Sequence, residues 1–159
     1  MGQMVSFLVK DDAATPKEWT FVPITDNPVP LWRSNDSSLP LEGLPVVSMS
    51  DVKLKNGTHK LTVKLEVPTL ETLGASGTAL GYVAAPKVAY VTPVIITMFA
   101  DARSSAQDRA NALRIATGLL QGASNVTGTG TLVNTAAGGA FLGSAAAVPT
   151  FFSQLILPV

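Results

Sequence analysis

The sequence has no cysteine, so disulfide frameworks and thiolate chemistry are excluded. It has one histidine, His59, so no multi-histidine metal centre can form. Charged residues are 14% of the chain, well under the roughly 25% of an ordinary soluble domain. Hydrophobic residues reach 47%, yet no apolar run approaches the roughly 18 residues of a membrane span. The N-terminus shows no long apolar run behind a basic start, so no signal peptide is expected. Net charge is zero, which removes any overall field toward nucleic acid and leaves only local patches. A 159-residue chain so poor in charge is expected to hide much of its surface against partners.

The first half reads as strands. Val5–Val9 and Trp19–Val22 form an expected N-terminal hairpin, with Asp11-Asp12 as turn chemistry. Residues 34–45 are loop-like. Strand signals return over Val46–Lys55, and Asn56-Gly57 predicts a two-residue type I′ turn. The return strand runs from Thr58 to Val67 and closes at Pro68. A loop rich in Gly, Ala, Ser and Thr follows over about 71–81, then a long strand over about 87–99.

One helix is expected over 104–121. Ser104 and Gln107 have capping-box spacing, and Ala106, Ala110, Leu113, Thr117 and Leu120 make an apolar stripe. Asp108, Arg109 and Arg114 are expected in solvent, and Gly122 is placed to end the helix. Residues 122–148 carry no charge and are read as a Gly/Ala-rich insertion that packs against something. Pro149 opens an expected short terminal helix over 149–159.

The most informative stretch is Lys60–Pro68. Leu61, Val63, Leu65 and Val67 alternate with Lys60, Thr62, Lys64 and Glu66, so the two sets take opposite sheet faces. A two-residue turn would set Lys53 opposite Lys60 and Lys55 opposite Thr58. Such a like-charge pair destabilises a hairpin unless an anion compensates it. Lys53, Lys55, Lys60 and Lys64 sit among twelve positions without an acid, as a phosphate-binding patch would. Exposed hairpin lysines also serve simply to block aggregation. No nucleophile, triad, phosphate loop or metal cluster emerges, so no cofactor and no enzymatic activity are expected.

The stretch Lys60–Pro68 resembles the most characteristic strand of the leviviral coat proteins of single-stranded RNA bacteriophages. The N-terminal hairpin, Trp32 before a polar loop, the Gly/Ala/Ser loop, Ala89-Tyr90 in a late strand and the Ser-opened helix follow in matching order over about 3–121. The resemblance implies an α+β fold: an N-terminal β-hairpin, an antiparallel sheet of about five strands (28–100) and C-terminal helices, within one coat-protein domain. It implies an intertwined homodimer with joined sheets, assembled in the bacterial cytoplasm into an icosahedral virion shell. The loop over 71–81 would surround the symmetry axes. The inner sheet face would bind single-stranded genomic RNA, and in some members an RNA hairpin whose binding represses replicase translation. Carried over, Lys60, Thr62 and Lys64 face RNA, Tyr90 stacks on a base and Thr92 makes a polar contact. Lys53 and Lys55 match less cleanly: a straight alignment turns Ser48 and Ser50 to the RNA, whereas the turn rule turns Met49 and Asp51. Pro93, Val94 and Ile96 depart from the family pattern. The alternative is a non-viral oligomeric β-sheet module that binds single-stranded nucleic acid.

Overall fold

The computed structural model describes residues 4–71 and 86–121; the expected loop over 71–81 beyond its first residue, the insertion and the terminal helix lie outside them. Six strands line up in chain order: β1 (Phe7–Lys10), β2 (Glu18–Thr25), β3 (Leu31–Ser34), β4 (Val46–Lys53), β5 (His59–Leu70) and β6 (Val88–Ala100). The pairings from β2 onward are antiparallel. The expected hairpin is therefore not a separate element but the first two strands of one six-stranded sheet. A helix, α1 (Ala106–Leu120), follows β6. The chain divides into two compact units, Met1–Leu8 with Thr20–Asp101, and Val9–Trp19 with Ala102–Val159.

In the first unit the buried apolar residues are Phe21, Trp32, Leu44, Val47 and Ala100. Trp32 lies opposite Val47, and Val47 opposite Leu65, so Phe21, Trp32 and Val47 cluster on the β2–β4 side of the face that carries the β5 aliphatics, whereas Ala100 lies apart from them, opposite His59. Phe7 stacks on Phe21 with ring centroids 5.1 Å apart and lies 6.0 Å from Trp32. The indole Nε1 of Trp32 donates to the Val5 carbonyl at 3.1 Å, which satisfies its polar group as it is buried. Farther along the same face Met49, Val63, Val94 and Ile96 stay exposed. Between the aromatic cluster and Ala100 the face is partly bare: Leu61, Leu65 and Val67 are half-buried, and these four are exposed.

The turn after β4 differs from the two-residue type. Gly57 N–H donates to the Leu54 carbonyl at 2.9 Å, and Leu54 N–H to the Thr58 carbonyl at 2.8 Å. The loop is therefore Lys55-Asn56-Gly57, with Gly57 alone at positive φ (82°). This is a type I turn followed by a left-handed glycine, the usual three-residue hairpin. The Asn56 side chain accepts the Thr58 N–H at 3.1 Å, a bond to its own backbone that keeps Asn56 out of the left-handed region. The extra residue shifts β4 by one position against β5. Lys53 faces His59, and Val52 faces Lys60. The expected Lys53–Lys60 pair does not form, and Ser48 and Ser50 take the places that the turn rule gave to Met49 and Asp51.

In the second unit Asp11 organises the β1–β2 loop, as its turn position suggests. Its Oδ1 accepts the N–H groups of Ala13 (3.3 Å) and Lys17 (2.8 Å), and its Oδ2 accepts the Trp19 indole N–H at 3.1 Å. Partial desolvation raises the carboxyl's pKa. The Lys17, Trp19 and Ala13 donors and the Lys17 charge outweigh that, so it titrates below its ordinary value. The Lys17 ammonium sits 4.2 Å from the Trp19 ring centroid.

The N-cap of α1 is Ser105, one residue later than expected. Its hydroxyl accepts the Asp108 N–H at 3.1 Å, and its own N–H donates to Asp108 Oδ2 at 3.0 Å. Asp108 wins over Gln107 because its negative charge also meets the positive helix end. The Ser105 side chain, then its backbone N–H, holds the Asp108 carboxyl below its ordinary pKa. Arg109 is half-buried, with its guanidinium on the Ser104 carbonyl and hydroxyl, so the expectation that it is solvated fails. No residue of α1 is buried; Leu113 is 53% and Ile115 65% exposed.

Candidate nucleic-acid interface

Residues directly opposite each other in an antiparallel ladder share a face, and neighbours along a strand alternate. The register therefore assigns every side chain of the sheet. Lys60, Thr62, Lys64 and Glu66 share one face of β5, as the alternation predicts. Across from Lys60 lie Val52 and Phe99; across from Thr62 lie Ser50 and Thr97; across from Lys64 lie Ser48 and Ile95. Arg33 joins the same face through its pairing with Val46, which faces Glu66.

The result is a strip of hydroxyls and cations across β3 to β6. Ser50, Thr62 and Thr97 form a row over three strands, with the Thr62 and Thr97 hydroxyl oxygens 3.4 Å apart. Lys60 and Lys64 flank the row along β5. The Lys64 ammonium pairs with Glu66 Oε1 at 2.8 Å, and both side chains are 40% exposed. Such an exposed pair is worth at most about 1 kcal/mol, so a phosphate could displace the carboxylate at little cost. Among the described residues of β3 to β6, three cations, Arg33, Lys60 and Lys64, share this face with one carboxylate, Glu66. This part of the face is weakly basic in a chain of zero net charge.

The other expected contacts are not brought together with this strip. Tyr90 lies opposite Thr69 and Thr92 opposite Val67, so both belong to the face of the β5 aliphatics. The expectation that they share the lysine face is corrected by this register. Its cause is the phase of β6 against β5, which runs unbroken from His59 opposite Ala100 to Thr69 opposite Tyr90; an irregularity takes Ala89 out of one-to-one pairing only beyond that run. Lys53, opposite His59, is also on the far face, and Lys55 is exposed in the hairpin loop. Lys53 sits there near the His59–Asp51 pair, whose Nδ1–Oδ1 distance is 2.9 Å. Sequence reasoning missed Arg33, Thr97 and Phe99. The signal for the last two was parity along β6, which needs the pairing with β5 to acquire a phase.

Comparison with known proteins agrees with this fold. A family model described as Levivirus coat protein matches residues 2–138. The capsid protein of Pseudomonas phage PRR1 is 32% identical over 116 residues, 69% of this chain and 79% of that protein. The virus-like particle of bacteriophage EMS014 superposes with a TM-score of 0.87 at 34% identity, over 99% of this chain and 100% of that one. The capsid protein of bacteriophage GA gives a TM-score of 0.58 at 25% identity, over 77% and 89% of the two chains. The class that sheet, helix and relatives define is a viral capsid protein, structural rather than catalytic and a component of the virion. Within that class the chain belongs to the levivirus coat protein family. The alternative of a non-viral binding module falls with that membership.

Proposed function

We propose that this coat protein works as an interlocked dimer that builds an icosahedral shell around single-stranded RNA in the bacterial cytoplasm. The observation that carries the reading is the apolar surface left bare on one chain. Among the described residues β6 is the last strand of the sheet; it is thirteen residues long, and Tyr90, Val91, Val94, Ile95, Ile96 and Phe99 are all exposed. A long apolar edge that no described strand pairs is a template for another strand. A second copy's β6 is the natural occupant, which would join two sheets into one. The exposed apolar face around Met49, Val63, Val94 and Ile96 and the largely exposed α1 then supply each other's cover between copies. At roughly 25 cal/mol per Å² of apolar area, exchanging such surfaces is the main stabilisation available to the pair.

The lysine face is proposed as the RNA-lining surface. It carries ammoniums, a guanidinium and hydroxyls, the groups that hold phosphates without reading sequence. General packaging fits this chemistry. Repression through one RNA hairpin finds less support, because Tyr90 and Thr92 lie on the far face. The test is the double substitution Lys60→Ala with Lys64→Ala. Dimers and particles should persist while the RNA recovered per particle falls, read from the ratio of absorbance at the nucleic-acid and protein maxima. An unchanged ratio would remove this face from RNA packaging.

A further inference from the structure

We propose that Phe99 is a nucleobase-stacking platform, working with Lys60 as a phosphate contact. The proposal rests on the reading of the lysine face as the RNA surface and adds what that face binds besides phosphate. Phe99 lies directly opposite Lys60 on the same face and is 63% exposed. Among the described residues of β3 to β6, Phe99 is the aromatic on that face: Trp32 and Tyr90 belong to the other one.

Side-chain direction decides whether the ring stays available. Side chains stand roughly perpendicular to a sheet, while a strand added at an edge joins in its plane. A second β6 laid along the outer edge of β6 therefore covers backbone and leaves the Phe99 ring on the face. Cross-strand neighbours place their Cβ atoms about 5 Å apart, so one nucleotide can meet both residues. Its phosphate reaches the ammonium and its base lies on the ring. Aromatic platforms beside cations are the usual way to hold single strands without sequence preference, because every base offers a flat face. Thr97, two residues before Phe99, keeps that side of the ring open with a small side chain and offers a hydroxyl to the sugar. The strip then divides the labour: Ser50, Thr62, Thr97, Lys60 and Lys64 take the backbone, and Phe99 takes a base.

The experiment compares full-length coat protein dimers carrying Phe99→Ala, Phe99→Leu, Phe99→Tyr or Lys60→Ala. The probes are a short single-stranded RNA of mixed sequence and an abasic oligonucleotide of equal length. Phe99→Ala and Phe99→Leu should weaken RNA binding about tenfold, leave abasic binding unchanged and keep the salt dependence of the parent. Phe99→Tyr should restore the loss. Lys60→Ala should weaken both probes and lower the salt slope. Phe99→Leu keeps the apolar bulk, so it gives the answer where Phe99→Ala fails to fold. Equal losses on both probes, or no loss on either, would overturn the stacking role while Lys60→Ala still weakens binding. No effect from Lys60→Ala or any Phe99 variant would overturn the RNA reading of the whole face.

Discussion

Single residues decide more in this chain than its simple composition suggests. Gly57, at φ 82°, is the one residue of the β4–β5 loop that needs the left-handed region. Gly57→Ala should cost about 1–2 kcal/mol, measured by denaturant unfolding of the coat protein, because a Cβ clashes with the carbonyl there. Asp108 is the second such residue. Its folded pKa is depressed, so its contribution to the helix start is complete above the ordinary carboxylate value of 3.8. That contribution fades as pH falls through the lower folded value. Asp108→Asn should therefore have less helix than the parent by circular dichroism near neutrality. The difference should vanish in strong acid, and a difference independent of pH would contradict the charged cap.

At the scale of elements, the outcome turned on phase. β5 was legible because its apolar and polar residues alternate cleanly, so Lys60, Thr62 and Lys64 could be put on one face from sequence alone. β4 was not, because Asn56-Gly57 serves both a two-residue and a three-residue hairpin. The choice depends on whether Asn56 itself goes left-handed, and one residue of difference turns every side chain of the strand over. β6 was still less legible. Both of its parities are apolar, Val91, Pro93 and Ile95 on one and Tyr90, Val94 and Ile96 on the other, so it carries no period of its own. It takes its phase from β5, which turns Tyr90 away from its expected face and puts Phe99 on the lysine face. The helix was readable in place and length, and its cap slipped by one residue because a charged partner at Asp108 outcompetes a neutral one at Gln107. An element-scale test follows for the bare face. Ile96→Lys puts a charge where a second copy should cover the sheet. It should leave a folded chain by circular dichroism but shift size-exclusion chromatography from dimer to monomer. A dimer unchanged by Ile96→Lys would place the interface elsewhere.

The whole molecule makes sense only as part of something larger. Among the described residues the buried apolar side chains are Phe21, Trp32, Leu44, Val47 and Ala100, no residue of the helix is buried, and most of the last strand is exposed. The low charge read at the outset has its counterpart here: the missing charges leave apolar surfaces that one subunit does not cover. Family membership says what covers them in kind, a coat built of copies. The most direct measurement is negative-stain electron microscopy of the expressed protein, with light scattering on the same sample. A shell-forming coat protein should give closed, uniform particles of megadalton mass. A stable small oligomer that forms no particles under assembly conditions would contradict it.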